Sequence, residues 1–259
     1  MVTIAKTKQP VRMPRFGHRV DKTDPILRGC VGWWPLNDGA GTKAVDLSAN
    51  GNNATAGGTV AWESTSRGTA ALFDGVGDGR FDIGTDLIGT GDYTISAWIN
   101  VDAAASGTLY IYVTGGSDYR EALYVNASVL GLDSYPATGT ATTGTFSTFG
   151  QGWKHVLVTS SSGTITLYGG GSQVGTGTAE TYTGATPTTY YIGYRRNGSE
   201  FNGNIQNFRI YNRALSASEV SRLYSEPWAG LEPLSPFSFF SGLSQIYAYY
   251  SAAFLQRLG

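Results

Sequence analysis

The chain has 259 residues, with 36 glycines, 16 tyrosines, one cysteine, 18 basic and 19 acidic side chains. A net charge near zero excludes a general electrostatic attraction to nucleic acid or a membrane surface, and a single cysteine excludes an internal disulfide. Many glycines combined with many Thr, Ser, Tyr and Val residues are typical of short strands joined by tight turns, so we expect one all-β sandwich domain.

Residues 1–28 are predicted to form a basic N-terminal arm. The arm holds seven basic and two acidic side chains, and its three prolines, with no apolar periodicity between them, favour an extended chain over a helix. Two hypotheses stay open: a solvated tail, or an arm that binds an acidic neighbouring subunit through Arg12, Arg15 and Arg19. No apolar run in the arm is long enough for a secretory signal, so we do not expect export by that route.

The next informative segment is a polar loop that begins at Asp46. Asp46, Ser48 and Asn50 place three oxygen-bearing side chains at alternate positions before Gly51, as loops that wrap calcium do. The alternative is an Asx-type turn, in which these side chains bond to their own backbone. The sequence therefore predicts either a structural calcium site with these three ligands or a turn without metal.

Two aromatic and basic clusters are candidates for binding a glycan. They consist of Tyr119 with Arg120, and of Tyr194 with Arg195 and Asn197. Sugars stack on aromatic rings while charged and amide groups bind their hydroxyls, and both clusters fall at predicted loop or strand ends. The alternative is that these tyrosines reflect strand propensity alone.

The sequence lacks the usual marks of catalysis. A glycosidase needs two carboxyl groups that face each other, yet Glu121, Glu180 and Glu200 each stand without a nearby carboxylate in sequence. The two histidines, His18 and His155, fit neither a zinc spacing nor a Ser-His-Asp arrangement. We therefore predict a protein that is not an enzyme, although carboxylates distant in sequence could still meet in space.

Residues 201–220 predict one strand followed by a turn. Strict alternation along the strand would place Ile205 and Tyr211 on one face of the sheet and Phe208 on the other. A helix should begin directly after the turn.

A capping box predicts where that helix starts. The Ser216 side chain would accept a hydrogen bond from the amide of Glu219, whose carboxylate would reach back to the start of the helix. We expect a helix of about two turns, with Val220, Leu223 and Tyr224 as its buried stripe.

Residues 226–259 are predicted to form an aromatic C-terminal interaction tail. Residues 236–256 carry no charge, and they are only marginally apolar for a transmembrane helix. Aromatic side chains are costly to leave in water, so we expect the tail to pack on the domain or on another subunit. The tail residues predicted to contact a partner are Phe237, Phe239, Phe240, Tyr249 and Tyr250.

Six motifs in a fixed order resemble those of LamG-like (laminin G type 3, concanavalin A-like lectin/glucanase) domains. They lie at residues 32–42, 46–53, 71–75, 93–101, 153–168 and 201–220. The resemblance covers residues 29–225 and implies a jelly-roll β-sandwich with one short C-terminal helix and an extended arm at each end. Relatives often carry paired aspartates where this chain has Gln206 and Asn207, so the resemblance does not carry their calcium site over to this chain.

Residues 24–37 and 223–229 resemble stand-alone LamG-like proteins of bacteriophage genomes. This resemblance implies a non-enzymatic virion structural protein, made in the host cytoplasm, that decorates or reinforces the capsid surface through its arms. Expected partners are capsid or other virion proteins, further copies of the chain and surface glycans, with neither nucleic acid nor a membrane. The alternatives are a glycan-binding adhesin on the virion and a carbohydrate-active enzyme with an unrecognised site.

Overall fold

Two antiparallel sheets of eight strands each form the body of the protein. The computed structural model describes residues 18–115, 119–184, 186–188, 190–195 and 200–233. In chain order the strands are β1 His18–Val20, β2 Cys30–Trp34, β3 Lys43–Ala44, β4 Ala54–Gly57, β5 Val60–Thr65, β6 Gly68–Asp74, β7 Arg80–Asp82, β8 Tyr93–Val101, β9 Leu109–Gly115, β10 Tyr119–Val125, β11 Val129–Tyr135, β12 Ala137–Thr138, β13 Thr142–Thr145, β14 Lys154–Ser161, β15 Thr164–Gly169, β16 Ser172–Thr178, β17 Thr181–Tyr182, β18 Tyr190–Ile192, β19 Asn202–Tyr211 and β20 Leu231–Pro233. A 3-10 turn, Pro25–Leu27, and one α-helix, α1 Ala217–Ser225, complete the described elements.

Sheet I has the strand order β13-β11-β10-β9-β18-β7-β4-β3, and sheet II has the order β16-β15-β14-β8-β19-β6-β5 with β2 also paired to β19. Two small sheets pair β1 with β20 and β12 with β17. The predicted all-β sandwich with one short helix near its C-terminal end is thereby confirmed. None of the helices in the described part of the chain is both long enough and apolar enough to cross a membrane.

The main core lies between the two sheets. Phe208 of sheet II contacts Tyr112 of sheet I with ring centroids 5.7 Å apart, and Phe73 of sheet II contacts Phe81 of sheet I at 6.1 Å. All four rings are buried. Each large apolar side chain buried in this way contributes about 1.5–3 kcal/mol to stability, so the two sheets are held together mainly by apolar contacts.

A β-bulge in β19 corrects the strict alternation predicted for this strand. Its register with β8 shifts between Gln206 and Arg209, and Asn207 has a φ of 53°. Ile205 and Phe208 both point into the main core as a result, and Tyr211 lies in a second cluster on the other face. The prediction that Ile205 and Tyr211 share a face is therefore wrong, because the extra residue reverses the alternation.

The helix begins as predicted. Ser216 accepts a hydrogen bond from the Glu219 amide, and the Glu219 carboxylate accepts one from the Ser216 amide, which confirms the capping box. Val220 and Leu223 are buried as predicted, but Tyr224 is 44% exposed, so its place in the buried stripe is wrong. Its ring stacks on that of Trp98 of sheet II, with centroids 5.9 Å apart, and the rest of the Tyr224 side chain stays accessible to solvent.

The described parts of both predicted arms pack on the sandwich. Strand β1 pairs with β20 along residues 18–20 and 231–233, and Ile26 is buried in the second cluster, on the helix side of sheet II. Asp24 accepts two hydrogen bonds of 2.6 Å each from Arg222 of α1. Residues 18–28 and 226–233 thus contact the sandwich, whereas the sequence-based boundaries assigned them to the arms.

Candidate functional site

A cleft of about 560 Å³ opens where strands β10, β11 and β13 of sheet I approach the β14–β15 hairpin of sheet II. Residues 89–93, 179–184 and 186–187 border it on the remaining sides. Its volume falls within the range of about 300–1,000 Å³ that is usual for small-molecule sites. We call this feature the acidic cleft, because its charged lining residues are Asp92, Arg120, Glu121, Asp133 and Glu180.

A second β-bulge places Arg120 and Glu121 at the cleft. The register of β10 with both of its neighbours, β9 and β11, shifts between Tyr119 and Ala122. Bulges redirect side chains that a regular strand would point to alternate faces. Both residues of this bulge therefore line the cleft, although they are adjacent in sequence.

Arg120 is held by two carboxylates. Its Nε lies 2.8 Å from Glu121 Oε2, and its Nη2 lies 3.0 Å from Asp86 Oδ2. Thr114 Oγ1 also donates to Glu121 Oε2 at 3.0 Å. Burial raises the pKa of Glu121, and the charge of Arg120 opposes that rise. The two side chains thus form a fixed ion pair along one wall of the cleft.

Asp133 and Glu180 supply two further carboxyl groups. Burial, reinforced by the negative charge of Glu180, raises the pKa of Asp133 to about 6. Its Oδ2 accepts a long hydrogen bond of 3.4 Å from the Tyr119 hydroxyl, while Oδ1 is buried without a partner among the described residues. Glu180 Oε2 accepts a 2.6 Å hydrogen bond from the Ser134 amide. The cleft therefore contains one carboxyl group whose protonation changes close to neutral pH.

The residues predicted to bind a glycan are only partly brought together. Tyr119 is 4% exposed, and the guanidinium of Arg195 lies 4.6 Å from the centre of its ring. Arg120 turns into the cleft instead. Tyr194 is 8% exposed and packs against Arg80, whose guanidinium lies 5.3 Å from its ring centre. Asn197 lies outside the described residues.

The side chains that give the cleft its chemistry carry no signal in the sequence. Nothing in the sequence marks Asp133, and Glu180 has no carboxylate close to it in sequence. Ser134 and Glu180, which form a hydrogen bond, are 46 residues apart in sequence. Tyr182 of β17, two residues after Glu180, also lines the cleft. No local motif joins these positions, so only the fold reveals them.

The Asp46 loop takes the form of an Asx-type turn. Asp46 Oδ1 accepts hydrogen bonds from the amides of Trp33 at 2.9 Å and Ser48 at 2.8 Å. Its Oδ2 accepts from the Asn52 amide at 2.9 Å and from Ser48 Oγ at 2.8 Å. Asn50 Nδ2 donates to Ser48 Oγ at 3.0 Å. Within the described ranges no three His, Cys, Asp or Glu residues are grouped to hold a metal, and a calcium site with Asp46, Ser48 and Asn50 stays a prediction.

The predicted arm contacts can be placed for one residue. Arg19 forms an exposed ion pair of 2.6 Å with Glu232, so this arginine binds within its own chain. The other residues predicted to contact a partner lie outside the described residues: Arg12, Arg15, Phe237, Phe239, Phe240, Tyr249 and Tyr250.

Comparison with known proteins identifies a family and a fold. Residues 73–221 match the laminin G type 3 model, described as the concanavalin A-like lectin/glucanases superfamily. No curated protein sequence matches the chain.

Among solved structures, the Trypanosoma rangeli sialidase in complex with 2,3-difluorosialic acid is similar with a TM-score of 0.61 and 18% identity, over 78% of this chain and 34% of the sialidase. The binding domain of botulinum neurotoxin serotype D/C is similar with a TM-score of 0.58 and 16% identity, over 77% of this chain and 52% of that one. A botulinum neurotoxin type C structure, whose cell entry is described as dependent on two ganglioside molecules, gives a TM-score of 0.59 at 16% identity, over 77% and 51% of the two chains. The chain thus spans about a third of the sialidase and about half of the toxin structures. At these identities the likeness shows the fold alone.

Proposed function

The chain belongs to the laminin G type 3 family of the concanavalin A-like lectin/glucanase superfamily, and from that premise we propose that it is a glycan-binding domain whose site is the acidic cleft. The observation that carries the proposal is the convergence of polar side chains on one cleft of about 560 Å³. Sites of this size with a few polar groups of fixed orientation are the usual places for small ligands.

The chemistry of the cleft suits hydroxyl groups. The carboxyl groups of Asp133 and Glu180 accept hydrogen bonds, and Asp133 Oδ1 has no partner within the described part of the chain. A small rotation of the Asp133 carboxyl group would let a sugar hydroxyl donate to this buried oxygen, which is costly to leave unpaired. Tyr182 contributes an aromatic ring to the same lining, and sugars stack on such rings.

The similar solved structures support glycan binding in general and do not indicate which sugars this cleft takes. The sialidase was solved with 2,3-difluorosialic acid, and the type C toxin is described as depending on two gangliosides. Because fold does not determine function, this support is weaker than that from the cleft itself.

Glycan binding by the full chain tests the proposal, first on an immobilised set of oligosaccharides and then by calorimetry with the best binder. The double variant Asp133→Asn with Glu180→Gln should bind at least tenfold more weakly, because hydrogen bonds to charged groups contribute about 1.5–3 kcal/mol each. The control is the double variant Asp102→Asn with Glu63→Gln. Both acids are exposed and lie outside the cleft lining; Asp102 accepts a hydrogen bond from the Ala104 amide, and Glu63 accepts one from Asn204. Equal affinity of the cleft variant and the control would contradict the proposal.

A second candidate function is hydrolysis of a glycoside, and one observation favours it. Asp133 and Glu180 line the same cleft, and the charge of Glu180 helps to raise the pKa of Asp133 to about 6, as a general acid requires. Glu121 is less suited to catalysis, because both of its carboxylate oxygens are hydrogen-bonded to Arg120. Release of reducing sugar from the bound glycan, lost in Asp133→Asn, would establish hydrolysis. Glycan binding without release of reducing sugar would support binding alone as the function.

The virion role stays a prediction. Neither the described residues nor the relatives bear on a capsid partner, on assembly with further copies or on location. Mass spectrometry of purified particles, with copy number relative to the major capsid protein, tests this role directly. A copy number close to that of the capsid protein would support decoration, and a few copies would support an adhesin.

A further inference from the structure

We infer that the acidic cleft selects its ligand by charge: it admits sugars without an acidic group and excludes sialic acid and other carboxylated or sulfated sugars. The inference rests on the proposed function, since it names the class of glycan that the same site would take.

The first support is the balance of charges around the cleft. Its described lining contains four acidic residues, Asp92, Glu121, Asp133 and Glu180, against one basic residue, Arg120. An acidic sugar placed among these groups would meet carboxylates at short range. Like charges brought together inside an interface are strongly unfavourable and are a common means of rejecting a wrong ligand.

The second support is that the one basic lining residue is already neutralised. Arg120 donates to both oxygens of Glu121 and to both oxygens of Asp86. A guanidinium bound on two sides by carboxylates has little positive potential left for the carboxylate of a ligand. Arg120 is therefore a poor cationic partner for an acidic sugar.

Arg195 is the other arginine close to the cleft, and it is also engaged. Its positive charge opposes the rise in the pKa of Asp133, so it lies near that carboxyl group. However, its guanidinium packs over the rings of Tyr110 and Tyr119, at 5.0 and 4.6 Å from their centres, and Nη1 donates to the Tyr110 hydroxyl at 2.8 Å. It is not part of the cleft lining.

The third support is the arrangement at Asp133. Its Oδ1 is buried at the cleft without a partner in the described part of the chain. An ionised or neutral carboxyl oxygen can accept a hydrogen bond from a hydroxyl or an amide, but an ionised one repels another carboxylate. Because the pKa of Asp133 is about 6, exclusion of acidic sugars should be strongest above pH 7 and should weaken toward pH 5. The titratable groups that face Asp133 are Glu180, Arg195, Tyr110, Tyr119 and Tyr124.

The test uses pairs of oligosaccharides that are identical except for a terminal sialic acid, with the full chain at pH 7.5 and low salt. We expect the neutral member of a binding pair to bind at least tenfold more tightly than the sialylated member. Sialylated members that bind equally well or better would overturn the charge selection but not the proposed function. Absence of binding by every member, neutral and sialylated, would overturn the proposed function and the inference with it.

A charge variant separates electrostatic exclusion from simple lack of space. Glu180→Gln keeps an oxygen that can accept the Ser134 amide and removes one negative charge. The ratio of neutral to sialylated affinity should fall at least threefold in this variant and stay unchanged in Glu63→Gln. An unchanged ratio in Glu180→Gln would show that charge in the cleft does not cause the discrimination, and would overturn the inference.

Discussion

The Asp46 loop and the acidic cleft both contain a carboxyl group withdrawn from solvent, and they differ in how its oxygens are used. Each oxygen of Asp46 accepts two hydrogen bonds from the chain, at 2.8 to 2.9 Å. Asp133 accepts one bond of 3.4 Å at Oδ2, and Oδ1 has no partner in the described part of the chain. Because buried polar groups are nearly always paired, the first arrangement is structural, and the second is the arrangement on which the proposed glycan site rests.

The largest expected change in stability comes from removing the Asp46 carboxylate. Asp46→Ala would leave the amides of Trp33, Ser48 and Asn52 without their acceptor, and should lower the free energy of unfolding by about 3–5 kcal/mol. Urea unfolding of the purified variant measures this change. Asp46→Asn is the matched control, because it retains one acceptor oxygen and should lose less. A loss below about 1 kcal/mol for the alanine variant would contradict the structural role of this loop.

Removing the charge of Asp133 should instead raise the free energy of unfolding. The pKa of Asp133 in the folded protein is about 6, above its ordinary value of 3.8. The folded state therefore binds more protons between these pH values, and stability falls as pH rises from about 4 to 6. Asp133→Asn should stabilise the protein at pH 8 by about 2 kcal/mol, after allowance for partial exposure, and by much less at pH 4.

Unfolding free energies at several pH values check this prediction. Asp102→Asn, at an exposed position, should change stability little at either pH. Destabilisation by Asp133→Asn at pH 8 would mean that the carboxylate is needed by the fold and would remove the contrast with Asp46.

A smaller effect concerns the single hydrogen bond of Asp133. Tyr119→Phe removes the hydroxyl that donates to Oδ2, so the pKa of Asp133 should rise further above 6. Stability should fall by no more than about 1 kcal/mol, because the bond is long. NMR titration of the Asp133 carboxyl measures the shift. A fall in its pKa would show that the hydroxyl does not stabilise the charged form.

The smallest expected effect is that of calcium. The Asp46 oxygens already accept four hydrogen bonds, so a metal would have to displace them. We expect the melting temperature to change by less than about 1 °C when excess calcium is added after chelation. A real site would behave differently, because calcium present at 100 times its Kd would stabilise the folded protein by about 2.7 kcal/mol. A rise of several degrees would instead support the calcium site at Asp46, Ser48 and Asn50.

The fold could be predicted from the sequence because its signals are local. Alternating apolar residues, turn glycines and the capping box at Ser216 each depend on neighbours a few positions away. The two bulges, at Asn207 and at Arg120, could not be predicted in this way. A bulge adds one residue without a distinctive motif, and the orientation of every later side chain in the strand changes with it.

The site was predicted less well than the fold, for a related reason. Tyr119 and Arg120 are adjacent in sequence, but only Arg120 lines the cleft, and Tyr119 is linked to it by the hydrogen bond from its hydroxyl to Asp133. Asp133 and Glu180 come together only through the pairing of β11 with its neighbours and the path of residues 179–184. Interactions of this kind depend on tertiary structure, which no short stretch of sequence encodes.

The pairing of β1 with β20 has a consequence for how such a domain can be combined with others. His18 of β1 and Pro233 of β20 are direct partners across this small sheet, so the first and last described strands lie side by side. A domain whose entry and exit lie side by side can be inserted into a surface loop of a host protein without pulling the host's chain ends apart. Residues 18–233 are therefore suited to insertion into another protein. A short glycine linker from residue 233 to residue 18 would also allow a circular permutant with its chain ends elsewhere on the surface.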